Sequence, residues 1–145
     1  MATMTQHFGQ GFPSGQIYTM LANFEGTACD ATITVSEKDT DEWYVYIQLK
    51  DWNGDDLAVP NSVIGYLASD SSGLNHNAAT VTTETAIKTD GSLAVLTTKI
   101  AYLLTSEADG DIDLTVTDTG EDVYYFVVVL PTGKLVVSDA ITFAA

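Results

Sequence analysis

Asp109-Gly110-Asp111-Ile112-Asp113-Leu114-Thr115-Val116-Thr117-Asp118 decides the fold class of this chain. An Asp-Gly turn opens the stretch, polar and apolar residues then alternate strictly, and Asp118 leads into the next turn. A β-strand points successive side chains to opposite faces. Ile112, Leu114 and Val116 therefore share one face, and Asp111, Asp113, Thr115 and Thr117 the other. The same grammar extends in both directions. Over 42–50, Trp43, Val45, Ile47 and Leu49 alternate with Tyr44, Tyr46, Gln48 and Lys50. Ile33 and Val35 face inward from 31–36, and further strands are predicted over 63–69, 81–88, 111–118, 123–130 and 134–143. The stretch 93–106 reads as two strand pieces around Thr97–Lys99. Turns fall at Asp51–Asp55, Asp90-Gly91, Thr119-Gly120 and Pro131-Thr132-Gly133. In the first of these, Asn53-Gly54 is predicted to make a tight hairpin with positive φ angles. No segment carries a capped 3.6-residue period. Strands at roughly 8–12-residue spacing make an all-β antiparallel sandwich of about 7–9 strands the expected architecture. Tyr124–Leu130 is apolar on both faces, as in a strand covered on both sides by the fold or by a partner.

Composition narrows the function classes. The chain has 145 residues, which suits one domain, or one domain plus an arm. Five Lys and Arg against twenty Asp and Glu leave a net charge of −15. That field repels nucleic acid and anionic membrane, so neither is an expected partner. Cys29 is the only cysteine, which rules out an intrachain disulfide and reads as a small packing side chain. The longest apolar run, Val123–Leu130, is far shorter than the roughly 20 residues of a membrane-crossing helix. Residues 1–11 lack the basic start and apolar centre of a secretory signal, so synthesis in a cytoplasm is expected.

Residues 1–30 read differently from 31–145. Gly9, Gly11, Gly15, Gly26 and Pro13 interrupt any period, and apolar anchors lie among polar residues. This is the composition of an N-terminal arm attached to a sandwich domain, ordered by a partner or left free. Met1–Phe24 contains no Asp, Glu, Lys or Arg. Phe8, Phe12, Ile17, Tyr18 and Phe24 are the candidate partner-binding residues.

Candidate chemistry is sparse. Glu107, Asp109, Asp111 and Asp113 alternate on one side of an extended chain, and Asp51, Asn53 and Asp55 line a turn. Neither set has the Gly and terminal Glu placement of a calcium loop, so both read as turns and a solvated strand face. His7 and His76 are far apart, and two His with one Cys fall short of a zinc ligand set. Ser69, Ser71 and Ser72 lie in a polar loop without a nucleophile elbow. No catalytic residue, metal or cofactor is therefore assigned, and an enzyme is not expected. Among the aromatics, Trp43 and Tyr102 read as packing residues, and Trp52, at a turn, as an exposed contact.

The run Ile47-Gln-Leu-Lys-Asp-Trp-Asn-Gly-Asp-Asp-Leu57, followed by Val63-Ile-Gly-Tyr-Leu-Ala-Ser-Asp70, resembles the invasin-like and bacterial Ig-like repeat. Leu103–Asp118 resembles the later strands of that fold. Tyr125–Leu130 with Pro131–Phe143 is similar to the ending of Ig-like structural proteins of tailed bacteriophages. The resemblance covers 31–145. It implies an Ig-like sandwich and a virion component: a capsid decoration (cement) protein that binds and stabilises the assembled major capsid shell. It further implies a place on the capsid exterior and a homo-oligomer, with a trimer expected at local symmetry axes. The alternative it leaves open is an Ig-like head-fibre or tail module that binds host-surface glycans or proteins through its loops.

Overall fold

The computed structural model describes residues 26–76 and 84–144. Among the described residues nine strands follow in order: β1 (Asp30–Asp39), β2 (Glu42–Lys50), β3 (Ser62–Ala68), β4 (Glu84–Ile87), β5 (Ser92–Thr97), β6 (Ala101–Thr105), β7 (Asp111–Thr117), β8 (Val123–Val129) and β9 (Leu135–Thr142). All pairings are antiparallel. They build a four-stranded sheet in the order β1-β2-β7-β4 and a five-stranded sheet in the order β5-β6-β3-β8-β9. β1-β2-β7 and β3-β8-β9 stand in the A-B-E and C-F-G order of the Ig sandwich, with β4 in the place of strand D. The β5-β6 hairpin widens the second sheet beyond β3. The candidate residues Phe8, Phe12, Ile17, Tyr18 and Phe24 lie outside the described residues.

Period-2 alternation produces the core directly. Val45, Ile47 and Leu49 from β2 and Ile112, Leu114 and Val116 from β7 are buried. Val45 stands opposite Leu114, and Ile47 opposite Ile112. Leu67, Tyr102, Leu104, Phe126, Val128 and Ile141 meet them from the second sheet. Ile33, Val35 and Trp43 pack at the margin of this core, half-buried. Gly65 on β3 is required by close packing: a Cβ there would sit 2.7 Å from Leu104 Cδ1 and 3.0 Å from the Phe126 ring. Ahead of β1, Ala28 is fully buried, the Cys29 amide donates to Lys50 O at 2.9 Å, and Asn61 Nδ2 donates to Gly26 O at 2.7 Å. The contacts of the body thus begin several residues before 31.

One turn differs from its sequence reading. Asp51–Asp55 does form a turn, with the Gly54 amide donating to Asp51 O and the Asp51 amide to Asp55 O. It does not make a tight hairpin, because β2 and β3 lie in different sheets. After a single bridge, Lys50 with Asp56, the chain crosses to the second sheet. Only Gly54 takes a positive φ there, 87°, so Asn53 keeps ordinary backbone angles.

At Val127, β8 is covered on both faces, and on its outer face the cover comes from the chain itself. Phe126 and Val128 point into the core, while Val127 is also fully buried. The loop after β3 folds back over it. Gly73, at φ 71°, places its backbone against Val127 and Val137, where a Cβ would stand 2.9 Å from Val137 Cγ2. Tyr66 OH donates to Gly73 O, and the Ser69 amide donates to Asn75 O. Asp70 fastens the loop by accepting from the Ser72 amide and hydroxyl and from Asn75 Nδ2. Those bonds favour the charged form and hold the Asp70 carboxyl below its ordinary range.

At the start of β8, Tyr124 OH donates to Asp118 Oδ2 at 2.6 Å, and the Gly120 amide donates to Asp118 Oδ1 at 3.0 Å. Asp118 has no exposed surface. The position corresponds to that of the tyrosine corner of Ig sandwiches, but the hydroxyl here ties back to a side-chain carboxylate and not to backbone. Removing a hydrogen-bond partner from a buried polar group costs about 1–3 kcal/mol. Tyr124→Phe is therefore expected to lower stability by that amount, measured by urea unfolding, with the fold retained.

Candidate interaction surface

The sandwich separates charge from apolar surface. The strands of the four-stranded sheet carry Asp30, Glu37, Asp39, Glu42, Glu84, Asp111 and Asp113. Those of the five-stranded sheet carry one acid, Asp139, and no Lys or Arg. The whole stretch 91–106, which holds β5 and β6, is free of acids. The strands of this sheet are thus almost uncharged, although Asp70 stands on the loop that covers part of its outer face.

That face bears an ordered apolar row. Ala94 pairs with Leu103, Leu103 with Ile64, Ile64 with Val129, and Val129 with Leu135. The row crosses all five strands on the side away from the core, over a span of about 19 Å at ordinary strand spacing. Ile64 is 42% exposed and Leu103 38%. On one side a polar row, Ser92-Thr105-Ser62, borders it, with Ser62 Oγ and Thr105 Oγ1 2.8 Å apart. On the other side lie the 70–76 loop and a cleft of about 400 Å³ lined by Tyr66, Leu74, His76, Thr97, Ile100 and Ala101. An apolar row on a sheet face, rimmed by polar groups, is suited to binding another protein surface.

Alternation alone did not single out Ile64, Leu103, Val129 or Leu135. The signal is present in the sequence as doubled apolar residues, Val63-Ile64, Leu103-Leu104 and Val128-Val129. In a strand, one member of each pair must face away from the core.

The acidic side is built differently. Asp111 lies on β7 beside Asp109, Asp90 and Asp113, and its Oδ1 is buried with no hydrogen-bond partner among the described residues. Burial first, and then those neighbouring carboxylates, push its pKa up to about 6. Thr89 Oγ1 donates to Asp113 Oδ2, and Gln48 Nε2 to Asp109 O at 2.8 Å. Among the described residues, no group of three or more His, Cys, Asp or Glu side chains is placed to hold a metal ion.

The raised value has a definite sign. The folded state holds the Asp111 proton more tightly than the unfolded state does, so its contribution is fully present below the ordinary value of 3.8 and is lost as pH rises through about 6. Solvent screens this site, which limits the effect to about 1 kcal/mol or less. Asp111→Asn is expected to be more stable than the parent near pH 7 and equal to it near pH 4, measured by urea unfolding at both.

Trp52 sits at the Asp51–Asp55 turn and is 43% exposed, as its position in the sequence predicts. Tyr102 is buried in the core. No protein-family model, curated protein or solved structure matches this chain.

Proposed function

We propose that this chain is a structural protein of a tailed-phage virion, a decoration protein that docks on the assembled major capsid protein and reinforces the shell from outside. The observation that carries this reading is the segregation of charge. A rigid sandwich presents one sheet with an apolar row and a single strand acid, Asp139, while the seven other acids that lie in strands are on the opposite sheet. Docking through the uncharged sheet turns the acidic sheet to solvent, where it keeps the particle surface soluble. Burying apolar area is worth about 25 cal/mol per Å². Many copies, each with a modest patch, would hold neighbouring capsid subunits together. The uncharged Met1–Phe24 segment, with Phe8 and Phe12, adds anchors without adding repulsion. Placement at a local symmetry axis would make the decorating unit a homo-oligomer, a trimer at a three-fold position.

Exposed Trp52 favours a second reading, an Ig-like head-fibre or tail module that binds host glycans through its loops. Electron microscopy of capsids lacking this protein, after addition of the purified chain, separates the two. A regular lattice of added density over the head supports decoration. Binding to host cells or glycans, with bare capsids, supports the alternative.

A further inference from the structure

Asn53-Gly54 is the only Asn-Gly pair in the sequence. It lies in the Asp51–Asp55 turn, and both residues are exposed. The Asp51 carboxylate organises this turn: its Oδ1 accepts from the Asn53 amide at 2.8 Å and from the Asp55 amide at 3.1 Å. Asn53 Nδ2 donates to Asp55 Oδ2 at 2.9 Å. The amide that follows Asn53 is held most loosely. Gly54 N reaches Asp51 O at 3.2 Å, the longest of the turn's bonds, and a Cβ on Gly54 would meet no described atom within 4 Å.

We propose that Asn53 is a modification site, where the side-chain amide is lost by cyclisation onto the Gly54 nitrogen. Hydroxide takes the Gly54 amide proton, and the nitrogen attacks Asn53 Cγ. A succinimide ring closes as the Cγ–Nδ2 bond breaks, and Nδ2 leaves as ammonia after taking a proton from water. Water then opens the ring. Attack at Cγ gives aspartate, and attack at the Asn53 backbone carbonyl carbon gives an isoaspartyl link. The net reaction consumes one water and releases one ammonia. Reacting groups on adjacent residues gain from proximity, and glycine has no Cβ to obstruct the approach.

The structure distinguishes this pair from its relatives in the same chain. Asn61 precedes Ser62, which carries a Cβ, and its Nδ2 is held by Gly26 O at 2.7 Å and Pro60 O at 3.1 Å. Asn75 precedes His76, and its Nδ2 is held by Asp70. Asp90-Gly91 and Asp109-Gly110 could close the same ring, but their glycines are packed. A Cβ would lie 2.9 Å from Thr105 O at Gly91 and 2.8 Å from Leu57 O at Gly110. The product at 53 exchanges the donor to Asp55 for a further carboxylate between Asp51 and Asp55, and like charges there repel. The isoaspartyl form also adds a backbone atom directly after Trp52. The turn that presents Trp52 is thus altered, while Val45, Ile47 and Leu49 keep their places in the core. Neither reading of the function is needed for this chemistry.

Peptide mapping of the folded full chain, held at mildly alkaline and at mildly acidic pH, tests this. Trypsin releases 51–88, because Lys50 and Lys88 bound a stretch without Lys or Arg. Fragment masses are expected to show residue 53 passing with time from amide to a mixture of aspartyl and isoaspartyl forms. Conversion should be faster at the alkaline pH, with Asn61 and Asn75 retained as amides. Gly54→Ala should lose the conversion at 53. Asn53→Gln, which needs a larger ring, should lose it too, so the test stands even if Gly54→Ala folds poorly. An intact amide at 53 in the folded chain would overturn the proposal, whether or not the chain converts when unfolded in urea. Equal conversion in the parent and Gly54→Ala would overturn it as well.

Discussion

Phe126→Ala is expected to lower the stability of the sandwich by about 3–5 kcal/mol, measured by urea or thermal unfolding. The ring has no exposed surface and stands at the centre of the second sheet, on β8 between β3 and β9. It fills the space that Gly65 leaves on the neighbouring strand, where a Cβ would approach the ring to 3.0 Å. Removing it deletes apolar contacts and leaves a cavity that the two sheets can close only in part. Native domains are stable by about 5–15 kcal/mol, so this single change removes a large share of the total. Gly65→Ala tests the same fit from the other side. The added methyl must displace Leu104 Cδ1 and the ring, at a cost of about 1–3 kcal/mol. A loss within 0.5 kcal/mol for Phe126→Ala would mean that the ring does not occupy the core described here.

The second large effect concerns docking. The double variant Ile64→Asp and Leu103→Asp is expected to weaken capsid binding by about a hundredfold or more, equivalent to about 2.7 kcal/mol. Both side chains are part-exposed at the centre of the apolar row and face each other across β3 and β6. Two carboxylates there would have to be desolvated at the interface and would repel each other. The core faces of β3 and β6 are untouched, so the melting temperature should change far less than binding. Circular dichroism and melting on the same variant supply that comparison. Full binding by this variant would place the interface elsewhere on the molecule.

The legibility of the fold in the sequence varied with the kind of constraint. Strands with one buried face announce themselves, because alternation leaves only one side apolar. β2 and β7 are the clearest cases, and Val45, Ile112, Leu114 and Val116 are buried as their parity requires. Turns held by glycine were also readable: Gly91, Gly110 and Gly133 all take positive φ in the structure. The direction taken after a turn was not readable. Asn53-Gly54 has the composition of a hairpin, yet the chain crosses to the other sheet, since long-range packing of β3 beside β6 and β8 determines where it goes. The cover over Val127 was hidden for a similar reason. It depends on a loop of Ser, Asn and Gly whose fold rests on Asp70 and on the Tyr66 hydroxyl, contacts between residues that carry no periodic signal.

The candidate surface was only half legible. Excess negative charge was evident from composition, but the scarcity of strand acids on the five-stranded sheet follows from strand order, which alternation does not specify. The apolar row needs register as well as strand identity. Only the pairing of Leu103 with Ile64, and of Ile64 with Val129, turns isolated doublets into a continuous line.

If the chain decorates capsids as proposed, the five-stranded sheet is the face that meets the shell. Electron cryomicroscopy of capsids lacking this protein, decorated with the purified chain, tests it most directly. The expected result is a regular lattice of sandwiches over the head, each with β5-β6-β3-β8-β9 against the shell and β1-β2-β7-β4 toward solvent. Bare heads, or sandwiches with the acidic sheet against the shell, would contradict it.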